Sequence, residues 1–254
     1  MTTRWLGKPF IYLEQAGSTN HILKEIPSGS LMHGTVLLAD HQSDGRGQKQ
    51  RRWIAEPGQN LTFTIALFPA KPDPPGRLTL LSLTAGLGVV RALQHQFQKG
   101  FYLKWPNDVM LSGRKLGGIL TETVFYGSHL DRVLIGIGLN VNQTTFPEEL
   151  DGAISVASAS GDETSREKLL CRVLQEIEIA YGRWVLHDST LIAEINERLS
   201  GVGKWVQITV NGTLVEGKIK FLGVDDNGHL LFLSSEFDVI TYTHEQIHII
   251  EPHT

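Results

Sequence analysis

The chain has a single cysteine in 254 residues, Cys171, which excludes an intramolecular disulfide and a thiolate zinc cluster and suits a reducing compartment. That cysteine lies in a segment of helical periodicity, where a free thiol is expected as a small buried hydrophobe. No apolar run approaches the roughly 20 residues that a membrane-spanning helix needs. The opening residues, MTTRWLGKPFIYLE, lack the cationic, apolar and small-residue zones of a secretory leader, so a cytoplasmic protein without membrane contact is expected. Charge of one sign is lacking too. With 23 Lys and Arg against 27 Asp and Glu the net charge is −4, which leaves no broad basic surface for nucleic acid. Repeats and low-complexity tracts are absent, and the Pro-rich stretch from Lys71 to Gly76 reads as a rigid surface connector. What is present is a chain 41% apolar, long enough for one large domain or for a large one with a small companion.

Against this mildly acidic background one segment stands out. Gly45 to Trp53 reads GRGQKQRRW, two glycines with Arg46, Lys49, Arg51 and Arg52. Glycines let backbone N–H groups approach a ligand, and the cations supply charge-assisted donors for carboxylate or phosphate oxygens. Taken alone, the segment fits either a solvated basic turn or an anion-binding loop.

Periodicity supplies the frame. Phe10 to Leu13 and Val36 to Ala39 are short strands, and Ser18-Thr19-Asn20 offers N-cap chemistry for a helix through about Ile26. Leu61 to Leu67 alternates with period two, predicting a strand with one buried face. Leu78 to Phe97 is a long core helix, and strands follow at Phe101–Trp105, Val109–Leu111, Leu116–Phe125 and Leu134–Val141, with a tight turn at Ser112-Gly113-Arg114. Thr164 to Glu167 has the capping-box pattern ahead of a helix whose buried stripe is Leu170, Val173, Leu174, Ile177, Tyr181 and Trp184. A second helix covers Leu191 to Leu199. From about Gly201 the chain turns to short β runs punctuated by Asn211-Gly212, Asp226-Asn-Gly228 and Ser234-Ser235, which predicts a small barrel with Trp205, Phe221, Phe232 and Phe237 in its core.

Four motifs occur in order: Ser18-Thr19-Asn20, the basic loop with Gln42 just upstream, Lys104-Trp-Pro-Asn-Asp108 continuing to Arg114-Lys-Leu-Gly-Gly-Ile-Leu120, and Gly136-Ile-Gly-Leu-Asn140. KWPND sets a cation, an aromatic, a turn-fixing proline and two polar residues in one corner, more than a turn requires. Lys115 heads an apolar strand, so its stem can pack while its ammonium faces a ligand; a plain surface lysine in a turn is the alternative. In these motifs the chain resembles the biotin protein ligases, in the form without an N-terminal DNA-binding domain, over nearly its whole length.

The resemblance implies an α/β (α+β) fold of the class II aminoacyl-tRNA synthetase-like kind, a mixed, largely antiparallel sheet backed by helices in residues 1–200, with an SH3-like barrel in 201–254. It implies ATP-dependent activation of the biotin carboxylate to biotinyl-5′-AMP, with Mg²⁺ accompanying ATP, then transfer to one lysine of a biotin carboxyl carrier domain. Attack of a carboxylate on a phosphate needs charge neutralised and reactants aligned, not a protein nucleophile. By resemblance, Ser18, Thr19, Gln42 and Gly45 meet biotin, Arg46 and Lys115 hold the reacting carboxylate and phosphate as catalytic residues, and Gly47, Gln48, Arg51, Trp53, Lys104, Asn107, Asp108 and Asn140 belong to the adenylate region. Ser18 serves equally as a helix cap, and Trp53 and Trp105 equally as pocket walls. No resident metal is implied; a homodimer is compatible with the family.

The loop departs from the family form G-R-G-R-x-G-R-x-W, with Gln48 at the second arginine and Gln50 at the second glycine. Either Gln48 loosens the grip on the adenylate, or Lys49 or Arg51 compensates; Gln50 implies a residue with no need of positive φ. Because a mixed anhydride hydrolyses in water, the loop is expected to be disordered without ligand and to order over the adenylate. His244-Glu-Gln-Ile-His248 matches the zinc-protease pattern HExxH, but β-favouring neighbours remove the helix that pattern needs. The remaining rivals are a lipoate or octanoate ligase or acyltransferase of related fold, a biotin-sensing repressor, for which the early start of the catalytic pattern leaves no DNA-binding domain, and a module that binds biotin without consuming ATP.

Overall fold

A computed structural model describes residues 2–48, 51–69 and 75–250. The expectations for Lys49 and Gln50, and most of the Pro-rich connector, lie outside the described residues. None of the described helices is long and apolar enough to cross a membrane.

Seven strands form the main sheet: β1 (Phe10–Ala16), β2 (Thr35–Gln42), β3 (Leu61–Leu67), β4 (Phe101–Lys104), β5 (Asp108–Leu111), β6 (Arg114–Tyr126) and β7 (His129–Leu139). Their order is β1-β2-β3-β7-β6-β5-β4, antiparallel except for the parallel β1/β2 edge pair. The mixed, mostly antiparallel sheet is as expected. β7 starts five residues before its apolar run, because its polar first residues still pair with β6 at the hairpin, Arg132 among them being buried.

One face of the sheet lies under α2 (Pro75–Gln96), α4 (Arg166–Val185) and α5 (Ser189–Arg198). α2 is sandwiched between sheet and α4, so its leucines and valines from Leu78 to Leu93 are buried almost all round. α4 has an outer face and buries only a stripe, Leu169, Leu170, Val173, Leu174, Ile177, Tyr181 and Trp184. Each such side chain contributes about 1.5–3 kcal/mol by leaving water. The helix is capped one residue later than its pattern predicts. Thr164 is buried and held by Asn142, which accepts from its N–H at 2.9 Å and donates to its carbonyl at 3.0 Å, so Ser165 takes over and accepts from Lys168 N. Cys171, on the same helix, is only partly buried, outside the stripe that packs.

The other face carries α1 (Thr19–Glu25), which sets Leu23 against Leu37, Ala66 and Leu134. This corrects the reading of β3. Its alternation is real, with Leu61, Phe63, Ile65 and Leu67 in the main core, but Thr62 and Thr64 on the opposite face are buried as well, beneath α1 and its neighbours. α3 (Val156–Ser160) follows the 3₁₀ turn at Glu148–Leu150.

The C-terminal residues form a second, curled antiparallel sheet, barrel-like and small: β8 (Trp205–Val210), β9 (Thr213–Leu214), β10 (Ile219–Val224), β11 (Leu230–Leu233), β12 (Val239–Tyr242) and β13 (Ile247–Ile250). Asn211 and Gly212 join β8 to β9 with both φ positive, as a two-residue hairpin turn requires. Phe221 and Phe232 are fully buried with ring centroids 5.1 Å apart. Trp205 and Phe237 are not core: they are 50% and 81% exposed, because Val206 and Ile208 take the inward positions of β8 and Phe237 sits in the turn before β12. The module is fastened to the rest by the Asn196 side chain, which donates to Val224 O and accepts from Val224 N, both at 2.9 Å, as a strand partner would.

Candidate active site

The open side of the main sheet bears a cavity of about 1530 Å³, floored by β6 and β7 and rimmed by the segments after β2, β4 and β5. A single small-molecule site takes about 300–1,000 Å³, so this one has room for two substrates. Thirteen of the fourteen residues singled out in the sequence line it: Ser18, Thr19, Gln42, Arg46, Gly47, Gln48, Arg51, Trp53, Lys104, Asn107, Asp108, Lys115 and Asn140. Gly45 does not, yet its place explains the residue: a Cβ there would lie 2.4 Å from the Trp53 carbonyl, so only glycine lets the loop close on itself.

α1 points its N-terminus at the cavity. Its far end is pinned by Arg132, which donates to the carbonyls of Ile26 and Lys24 from β7, and its first turn is capped by Ser18, 3.5 Å from His21 N. Ser18 is therefore both cap and lining residue. Thr19 gives its backbone N–H to Gln42 Oε1 at 2.7 Å, and its hydroxyl lies 3.0 Å from the same oxygen.

Two glycines of GIGLN make the floor. A Cβ at Gly136 would meet the Asn20 amide at 2.3 Å, and one at Gly138 would meet the Trp53 ring at 2.3 Å. The Trp53 ring packs on the bare backbone at Gly138, and its buried indole N–H has no hydrogen-bond partner among the described residues.

The described ends of the basic loop pair with each other, Trp53 N donating to Gly45 O and Gly47 N to Arg51 O. Arg46 pairs with Asp44 at 2.9 Å, and that guanidinium holds the Asp44 carboxyl below the ordinary carboxylate range. At the base of the loop, burial pushes the Asp40 carboxyl up but Arg166 at 2.8 Å and the Tyr12 hydroxyl outweigh it, so it stays below its usual value. Arg166 also donates to Asn60 O, tying the loop's two ends together.

Across the cavity, β4 and β5 meet at KWPND. Asn107 holds the corner closed, donating to Ile119 O at 2.7 Å while its own carbonyl accepts from Ile119 N. Lys115 Nζ lies 2.6 Å from Asp108 Oδ1. Its backbone bonds to the 150–154 segment through Gly152 O and Ile154 N, so the ammonium has a rigid base. Asn140 is buried, donating to Ile154 O. Its position serves the frame of the site.

Arg52, one of the loop's cations, lines the cavity too, and other lining residues were not assigned to the site beforehand: Glu149, Ser200 and, from the C-terminal module, His244, Glu245 and His248. His244 packs edge-on against Trp105, ring centroids 5.5 Å apart. It sits in a turn and His248 on β13, so the HExxH spacing has no helix to work on. No local signal marks these as site residues; only the folded module brings them there. Five lining cations, Arg46, Arg51, Arg52, Lys104 and Lys115, stand against Asp108, Glu149 and Glu245, a positive cavity in a negative protein.

A mixed sheet with a cation-lined cavity for two substrates defines an enzyme that brings anionic groups together and stabilises the charge that develops between them. Residues 12–140 match the biotin/lipoate A/B protein ligase family. The bifunctional ligase/repressor BirA of Bacillus spizizenii is 34% identical over 93% of this chain and 73% of its own length. The biotin–[acetyl-CoA-carboxylase] ligase of Mycobacterium tuberculosis is 31% identical over 92% of this chain and 87% of its own. The solved biotin protein ligase of Aquifex aeolicus, in complex with biotin and ATP, superposes with a TM-score of 0.81 at 30% identity, covering 96% of this chain and 100% of that one. The chain belongs to the biotin/lipoate A/B protein ligase family.

Proposed function

We propose that the protein is a biotin protein ligase: it condenses biotin with ATP to biotinyl-5′-AMP and pyrophosphate, then passes biotin to a lysine of a carboxylase carrier domain, releasing AMP. The observation that carries this reading is the convergence of the basic loop, KWPND and KLGGIL on one cavity in a fold shared with a ligase solved with biotin and ATP.

In this reading the carboxylate enters between Arg46 and Lys115. Lys115 leaves Asp108 for the anion, and its charge offsets that developing as the carboxylate oxygen bonds to the α-phosphorus and pyrophosphate departs. Ser18, Thr19 and Gln42 face the ureido ring, whose N–H groups and carbonyl match hydroxyls and an amide. Gly47, Gln48, Arg51, Lys104 and Asn107 border the nucleotide, with Trp53 as wall. Mg²⁺, where it accompanies ATP, would supply neutralisation of part of the triphosphate charge. Asp108 and Glu149 are lining carboxylates of the oxygen-donor kind it accepts, and among the described residues no cluster of three or more His, Cys, Asp or Glu offers it a cage of protein alone. The second step needs a neutral lysine amine from the carrier to attack the anhydride carbonyl. We take residues 1–200 as the catalytic domain and 201–254 as the module that closes the cavity with His244, and we place the enzyme in the cytoplasm with its carrier.

The test is ATP–pyrophosphate exchange. It should require biotin and ignore lipoate and octanoate, and a carboxyl-carrier domain should gain one biotin. Exchange driven by lipoate assigns the chain to the other branch of the family, and biotin binding without exchange reduces it to a binding module.

A further inference from the structure

Behind the cavity runs a line of hydrogen-bonded side chains that no lining residue explains. Glu122 on β6 accepts from Asn20 Nδ2 at 2.7 Å; the Thr64 hydroxyl on β3 donates to Asn20 Oδ1 at 2.5 Å and lies 2.8 Å from Thr19 Oγ1; Gln42 Oε1 accepts the Thr19 N–H at 2.7 Å and lies 3.0 Å from the Thr19 hydroxyl. Thr64 is fully buried, Thr19 and Asn20 nearly so, and neither Thr64 nor Glu122 lines the cavity.

The direction of this chain is settled by its two ends. A carboxylate only accepts, so Asn20 must turn its amide nitrogen to Glu122 and its oxygen to Thr64. A backbone N–H only donates, so Gln42 must turn its oxygen to Thr19. Gln42 Oε1 is thereby occupied, and its NH₂ group is the end left for the cavity. A corner built this way offers a hydrogen-bond donor and rejects a ligand that brings another donor to the same place.

We propose that Glu122 and Thr64 are positioning residues for ligand recognition, holding through Asn20 the first turn of α1, whose Thr19 N–H sets the polarity with which Gln42 reads a carbonyl-type acceptor on the substrate. The proposal rests on the biotin reading above, in which that acceptor is the ureido oxygen. Removing the Thr64 hydroxyl leaves Asn20 Oδ1 without its donor and frees the first turn of α1, and with it the Thr19 N–H that Gln42 accepts, to shift, while the cation rims that handle ATP are untouched.

The test uses the full chain and biotin-dependent ATP–pyrophosphate exchange, with KM measured separately for each substrate. Thr64→Val should raise KM for biotin about tenfold or more, the equivalent of one well-placed hydrogen bond lost, with KM for ATP changed by less than about twofold. Thr64→Ser, which restores the hydroxyl, should bring the biotin KM back, and Glu122→Leu should repeat the defect where Glu122→Gln, still able to accept, does not. Thermal melts without ligand show whether each variant is folded. An unchanged biotin KM in folded Thr64→Val, or equal rises for both substrates, or failure of Thr64→Ser to rescue, overturns the positioning role while leaving the ligase assignment intact. Absence of biotin-dependent exchange in the wild type overturns that assignment and this inference together.

Discussion

The rim built from β4, β5 and β6 and the rim built from the Gly45–Trp53 loop both present cations to one cavity, yet they rest on different supports. Lys115 stands on a strand whose neighbours are paired on both sides and whose backbone is also bonded to Gly152 and Ile154. Arg46 stands on a loop whose described ends are joined by a few backbone bonds, and its guanidinium is paired with exposed Asp44. Exposed pairs of that kind exchange partners at little cost, about 0–1 kcal/mol in general. One rim is therefore suited to set the geometry of the reacting groups and the other to yield and re-form around them. A reaction through a water-sensitive anhydride needs both properties at once.

The strongest way to break this contrast is Lys115→Ala. It should lower the rate of biotin-dependent exchange about 100- to 1,000-fold, the scale of losing one preorganised charge-stabilising donor. Undiminished exchange in single-turnover assays removes Lys115 from the chemistry and with it the meaning of the rigid rim. Next is Asn140→Ala, which strips Ile154 O of its buried donor; urea unfolding should show a loss of about 1–3 kcal/mol. A variant as stable as wild type means that the rigid rim does not depend on this tie.

The compliant rim is sharpened by Gln48→Arg. If an arginine there grips the adenylate, one charge-assisted contact of about 1.5–3 kcal/mol should slow its release roughly tenfold or more. Release at an unchanged rate would show that Arg51 or its neighbours already supply the grip. The smallest effect is a control far from both rims. His33, between Trp5 and Tyr181, accepts the Phe68 N–H on Nδ1, and burial holds its pKa below the ordinary 6.5. The unfolded chain binds that proton more readily, so the stabilisation is complete above pH 6.5 and is lost as pH falls from there through the lowered native value. His33→Gln should flatten the acid side of a stability–pH curve without altering exchange at neutral pH; a parallel loss of exchange would tie His33 to the site.

Most elements were legible because their periods are local. The stripe of α4, the Asn211-Gly212 turn and the alternation of β3 follow from side-chain spacing and backbone sterics, which neighbouring residues set on their own. Where the reading failed, a distant partner had intervened. Asn142 took Thr164 out of the capping box, α1 covered the threonine face of β3, and the packing of Val206 and Ile208 into the small barrel left Trp205 on the outward face of β8.

By itself the sequence determined the elements, the family and nearly all the residues that gather at the cavity, since motifs record what a ligand demands of particular positions. Tertiary structure alone decided how those residues are paired: Lys115 with Asp108, Arg46 with Asp44, His244 against Trp105, and the chain from Glu122 to Gln42. The last two join segments far apart in the chain and the first two depend on how a turn closes, and neither propensity nor period carries information about either. Donor and acceptor directions, too, become definite only when every partner is in place.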